Sequence, residues 1–148
     1  MPYRLKIDVG LNCVFIQHYS KVDSEEVLQQ VKALDEHPEF IQGMNILRDF
    51  TLTKLPKEYT IERFKSGYDG WIKNNDRMLG AGRKVAWVLK DKEDFIVIHQ
   101  FCSITRLNTM VAARQPFHNM KNAFKFLNIP EDYAVEYFND ETEGKIAQ

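Results

Sequence analysis

The sequence has few of the features that would name a chemistry outright. Cysteine occurs twice, at Cys13 and Cys102, far apart and each in an apolar stretch. Neither belongs to a CxxC or Cys/His spacing, so both read as buried thiols that pack as small hydrophobes, rather than as a disulfide framework. Excess charge of either sign is missing: 20 basic and 21 acidic residues leave a net charge of -1. Nucleic acid needs a basic excess, so no nucleic-acid partner is expected. Long hydrophobic runs are absent, the longest being Val85-Ala86-Trp87-Val88-Leu89, and Met1 to Val9 has no apolar signal core. The expected location is therefore the cytoplasm. The four histidines, His18, His37, His99 and His118, share no HxH, HxxxH or HExxH spacing. No metal and no cofactor are expected on that ground. No Ser, Cys or Thr stands in a nucleophile elbow, and Gly80-Ala81-Gly82-Arg83-Lys84 leads into a strand instead of opening a helix, as a phosphate loop would. No catalytic residues are assigned.

What is present is an ordinary globular chain, 44% hydrophobic and 28% charged over 148 residues, enough for one domain with its own core. Leu5, Ile7 and Val9 alternate with Arg4, Lys6 and Asp8 as in a half-buried strand. After the turn residues Gly10-Leu11-Asn12, a second β-rich run from Cys13 to Tyr19 completes a hairpin. Asp23 and Glu26 have capping-box spacing, and Val27, Leu28, Val31 and Leu34 form the buried stripe of a helix that His37-Pro38 ends. Met44 to Phe50 reads as a strand. Glu58 to Leu79 reads as a helix with a bend or break near Gly67 and Gly70, and Val85 to Leu89 as a strand covered on both faces. Phe95-Ile96-Val97-Ile98 is ambiguous, and its β-branched residues favour a strand on local pattern. A last short strand is expected at Met110 to Ala113. Pro116 then precedes a helix with Met120, Ala123, Phe124 and Leu127 on one side, stopped by Asn128 and Pro130. Residues from about Glu131 are acidic and expected to fray, which puts a single domain at 1–130 and a partly disordered acidic tail at 131–148.

Three stretches together resemble the SpoIIAA-like branch of the STAS superfamily, relatives of the anti-sigma-factor antagonists. His37-Pro38-Glu39-Phe40 through Asn45-Ile46-Leu47-Arg48-Asp49-Phe50-Thr51 is similar to the family's helix, link and strand ending in Asp. Lys84 to Leu89 followed by Asp94-Phe95 is similar to its strand and following helix. Pro116-Phe117 to Ala123-Phe124-Lys125-Phe126-Leu127 is similar to its closing unit. The resemblance spans about residues 3 to 128 and rests on structural patterns. It implies an α/β fold with a mixed sheet of about five strands and four to five helices, in the order β-β-α-β-α-β-α-β-α. It also implies a helix at Asp94 to Leu107, against the local pattern. The phosphorylated members carry an Asp-Ser-x-Gly type turn after the third strand. Here Thr51-Leu52-Thr53-Lys54-Leu55-Pro56 stands instead, and the hydroxyls of Thr51 and Thr53 are expected to bond nearby backbone rather than accept phosphate.

Two signals point toward a site. Arg48-Asp49 lies at the carboxyl end of a strand, where open α/β sheets bind ligands, and reads either as a polar anchor at a pocket mouth or as a salt-bridging or loop-capping pair. The second signal is aromatic. Phe64, Tyr68 and Trp71, with Ile61 and Ile72, exceed what one helix needs in a two-layer domain, and Phe95 to Ile104 would be apolar nearly all round as a helix. His99, in that apolar segment, reads as a core or pocket histidine. The expected ligand-binding residues are thus Arg48, Asp49, Phe64, Tyr68, Trp71, Phe95 and His99. The expected function is non-enzymatic binding of a small apolar or amphipathic, lipid-like ligand between the two aromatic helices, with contact to a membrane surface as a peripheral protein. The alternative is a regulatory interaction module, a homodimer using the same apolar face. An enzyme would require Asp49 and His99 to meet in one cleft.

Overall fold

The computed structural model describes residues 3–21, 24–67, 79–80, 82–105 and 112–137. Five strands form one mixed sheet, β1 (Tyr3–Asp8), β2 (Cys13–His18), β3 (Asn45–Phe50), β4 (Lys84–Leu89) and β5 (Ala113–Phe117), hydrogen-bonded in that same order. Among the described residues four helices accompany them: α1 (Ser24–Asp35), α2 (Ile61–Gly67), α3 (Lys92–Thr105) and α4 (Met120–Leu127). β1 and β2 pair antiparallel and the remaining neighbours pair parallel.

The strands follow from their side-chain patterns. β1 alternates buried Tyr3, Leu5 and Ile7 with half-buried Arg4, Lys6 and Asp8, the mark of an edge strand covered on one face. β2 to β4 are buried almost throughout because both faces of the central sheet are covered. Between β1 and β2, Asp8 Oδ1 accepts from Leu11 N at 3.0 Å, and Asn12 takes a left-handed φ of 55°.

Three parallel crossovers step in one direction across the sheet, so by their common handedness α1, α2 and α3 fall on one face. There Val31, Leu34, Phe64, Ile98, Phe101 and Cys102 pack on Val14, Ile16, Ile46, Phe50, Val85 and Trp87. The α1 stripe is seen at Val31 and Leu34. Asp23, Met110 and the side chains of Glu26, Val27 and Leu28 lie outside the described residues. On the opposite face α4 sets Ala123, Phe124 and Leu127 against Phe15, Leu47, Ala86 and Val88. Asn119 Oδ1 caps this helix at the Asn122 amide, 2.9 Å away. Asn128 ends it at φ 60°, with Ile129 N donating to Phe124 O at 2.9 Å. Beyond it, residues 131–137, expected in the acidic tail, lie along the same face. Tyr133 stacks on Phe15 at 5.5 Å and donates to Asp8 Oδ2 at 2.9 Å.

Two local expectations are corrected. Phe95 to Ile98 lies in α3, the helix expected at Asp94 to Leu107, and not in the strand that its local pattern favours. Asp91 Oδ2 caps the Asp94 amide at 3.0 Å, and the turn this starts puts Ile98, Phe101 and Cys102 on one buried side. A helix start of the right chemistry outweighs the β-propensity of four residues. The last strand runs Ala113–Phe117 and contains Pro116. An edge strand needs its ladder on one side only, so the missing proline N–H is tolerated. The helix expected over Glu58 to Leu79 is seen as α2 at Ile61–Gly67, and the part of that expectation that falls on residues 68–78 lies outside the described residues.

The glycines at 43 and 80 have a specific job. Both have positive φ, 95° and 105°, and Gly43 N donates to Leu79 O at 2.8 Å. A Cβ on Gly80 would lie 2.4 Å from Gly43 N, so the two backbones approach as only glycine allows. Among the described residues no helix is long and apolar enough to cross a membrane.

Candidate functional site

Successive side chains of a strand point to opposite faces, and this separates the Arg48–Asp49 pair. Asp49 turns toward the α4 face. It accepts from Gln17 Nε2 at 3.2 Å and from the Thr51 amide at 2.8 Å, so it closes the turn after β3. That is the loop-capping alternative for this residue. Arg48 turns the other way, into the layer beneath α1, α2 and α3, and is only 6% exposed.

The sheet register decides Arg48's neighbours. Ile16 stands opposite it on β2 and Trp87 on β4, which leaves His18 and Phe50 one step further along the same face. Arg48 Nη1 donates to Gln30 Oε1 on α1 at 2.7 Å and lies 3.5 Å from His18 Nε2. Its guanidinium carbon is 5.7 Å from the centre of the Trp87 ring. Phe50 stacks between the aromatics, 4.3 Å from His18 and 5.8 Å from Trp87. Tyr59, also buried, belongs to the same layer and packs edge-on to Phe64 at 5.3 Å.

The electrostatics are unusual for a core. Among the described residues no carboxylate pairs with Arg48; its polar partners are an amide oxygen and an imidazole nitrogen. Burial pulls the guanidinium from 12.5 down to about 10, Tyr59 opposes that shift, and the charge of Arg114 adds to it. Burial, helped by the Arg48 charge, pulls His18 down to about 3, so its ring is neutral at physiological pH. Burial raises the Tyr59 phenol to about 12. His18 Nδ1 and Trp87 Nε1 are buried with no hydrogen-bond partner among the described residues.

The aromatic signal resolves differently. Phe64 and Phe101 stack face to face at 4.1 Å and are 2% and 3% exposed, so they close the space between α2 and α3 and belong to the core. Phe95 is half-buried and stacks on His118 at 3.8 Å. His99 is exposed, not a core or pocket histidine: Ile98 takes the inward position, and one helical step turns His99 outward. Asp49 and His99 therefore do not meet; one faces the α4 side, the other sits on α3 across the sheet. Tyr68 and Trp71 lie outside the described residues. Burial pushes the Cys13 thiol up to about 12, which makes it a poor nucleophile. Among the described residues no group of His, Cys, Asp and Glu is arranged to hold a metal ion.

Sequence reasoning found Arg48 but not His18, Gln30, Trp87 and Tyr59. An indole N–H inside the continuous apolar run of β4, and a histidine closing that of β2, were the available signals. A crease between β1 and α1, lined by Tyr3, Leu5, Gln30, Ala33, Leu34 and His37, reaches this cluster from outside. Gln30 is shared by both, and the Tyr3 ring lies 6.5 Å from that of His18. The crease is too narrow to admit a water-sized molecule. No family model, curated protein or solved structure matches the chain.

Proposed function

We propose that this chain is a non-enzymatic domain that binds a small amphipathic ligand, with its polar end held at Arg48. The observation that carries this reading is the buried guanidinium at 6% exposure, set among His18, Trp87, Tyr59 and Phe50 without a described carboxylate. A buried charge left unpaired opposes folding by several kcal/mol, so its retention favours a use other than stability. Aromatic rings with a few convergent polar groups are also the usual lining of a small-molecule site. The stacked Phe64 and Phe101 fill the space between α2 and α3, which supports a site beside α1 instead. The resemblance to SpoIIAA-like STAS domains supports a binding role over catalysis.

Native mass spectrometry of the purified full chain, with organic extraction of whatever dissociates, tests the proposal. The expected result is a bound small molecule on the wild type that Arg48→Met loses. A ligand-free mass, together with no thermal stabilisation by either octanoate or octan-1-ol, would refute it.

A further inference from the structure

The polar groups around Arg48 differ in what they can offer, and the imbalance is one-sided. Arginine can only donate. A hydrogen bond between Arg48 Nη1 and His18 Nε2 therefore makes Nε2 the acceptor and places the imidazole proton on Nδ1. Among the described residues, that Nδ1–H has no partner, and neither does the indole N–H of Trp87, which is also donor-only. Tyr59 contributes a neutral phenol. Asp49, next along the chain, is committed to Gln17 and Thr51 on the other face. The cluster is rich in donors and positive charge; what would complete it is an acceptor carrying negative charge.

Gln30 Oε1 is the acceptor that Arg48 does have, at 2.7 Å. An amide oxygen is the neutral analogue of a carboxylate oxygen at the same distance and geometry. Gln30 also belongs both to Arg48's shell and to the crease, whose other walls are Tyr3, Leu5, Ala33, Leu34 and His37. Movement of the Gln30 side chain would join crease to cluster, a rotamer change of the kind ligands commonly induce.

We infer that the site takes the carboxylate end of a small amphiphile, which replaces Gln30 Oε1 at Arg48, and that the closed crease between β1 and α1 widens as Gln30 swings out, so that the apolar part of the ligand can lie along it. This rests on the ligand-binding reading above and names the class of ligand. A carboxylate is favoured over a phosphate because its single charge balances the single guanidinium, and its planar oxygens match the guanidinium fork. A doubly charged head in an apolar-walled crease would bring a second buried charge that nothing balances.

Calorimetric titration and thermal shift on the full chain, with octanoate, octan-1-ol and inorganic phosphate as probes, test the inference. Octanoate is expected to bind at least tenfold more tightly than octan-1-ol, and phosphate not to compete. Arg48→Met is expected to abolish the preference for the acid while retaining the alcohol. Gln30→Glu supplies a carboxylate from the protein itself, so it is expected to raise the melting temperature without ligand and to block octanoate. Equal binding of acid and alcohol overturns the carboxylate assignment and leaves the amphiphile reading standing; binding of neither overturns both. Competition by phosphate overturns the choice of carboxylate. Asp69 and Asp76 fall within residues 68–78, outside those described. If Arg48→Met lowers the melting temperature instead of leaving it unchanged or raising it, and Asp69→Asn or Asp76→Asn lowers it equally, the anion is the chain's own and the inference fails.

Discussion

Replacing Arg48 by methionine separates an uncompensated buried cation from an ordinary buried ion pair, because the two predict opposite signs. Methionine keeps the apolar stem of the side chain and removes the charge. The depression of Arg48 from 12.5 to about 10 corresponds to roughly 3 kcal/mol by which the folded surroundings disfavour the charged form. Two favourable terms are lost with the charge. The bond to Gln30 is worth on the order of 1–2 kcal/mol once the amide oxygen is left without a donor. The cation–π contact with Trp87 at 5.7 Å adds about 1 kcal/mol. The net expectation for Arg48→Met in the absence of ligand is between no change and a gain of about 1 kcal/mol, by these magnitudes. For a chain of this length that is a rise in melting temperature of zero to roughly 4 °C. Urea unfolding at pH 7, with equal m-values to show that the denatured state is unchanged, is the assay. A loss of about 3 kcal/mol or more would mean that the substitution strands a paired carboxylate, and would refute the view of Arg48 as a charge awaiting its partner.

Three further outcomes are expected. His18 has a folded value near 3 against 6.5 when unfolded, so the unfolded chain binds the extra proton between these values. Its contribution is complete above pH 6.5 and is lost as pH falls toward 3, amounting to about 2–3 kcal/mol between pH 7 and 4.5. His18→Phe should flatten that part of the pH–stability curve, and equal acid losses in the two proteins would refute it. Gly80→Ala should destabilise by at least about 2 kcal/mol, since the new Cβ meets the Gly43 main chain at 2.4 Å and the φ of 105° is strained for any side chain; an unchanged melting temperature would contradict this. Tyr133→Phe removes the bond to Asp8 and should lose about 1 kcal/mol, while Tyr133→Ala also removes the stacking on Phe15 and should lose about 3 kcal/mol or more, both read by urea unfolding. Equal losses in the two variants would show that the ring contributes nothing.

Much of the architecture was legible along the chain because local chemistry and burial agree there. The alternation of β1 and the stripe of α4 with its left-handed Asn128 both follow from side chains a few residues apart. Where local and distant forces compete, the pattern misled. Phe95 to Ile98 has β-branched residues, yet the Asp91 cap and the demand of the core for Ile98, Phe101 and Cys102 make it helical. Pro116 looks like a helix start until β5 is known to be an edge. The surplus of aromatic side chains was real, but stacking of Phe64 on Phe101 uses it inside the core.

The site divides in the same way. By itself the sequence determined that a charged pair, Arg48 and Asp49, closes a buried strand, and that no histidine or cysteine spacing prepares a metal or a nucleophile. The sequence reading set both at one polar anchor, whereas β3 turns neighbours to opposite faces and parts them. Only the tertiary structure decided what each one meets. Residue 18 reaches residue 48 through the register of β2 on β3, residue 87 through that of β4, and residue 30 through the rotation of α1 over the sheet. Those offsets are fixed by packing between segments dozens of residues apart, where the same local patterns would fit several registers and only burial of the whole layer selects one.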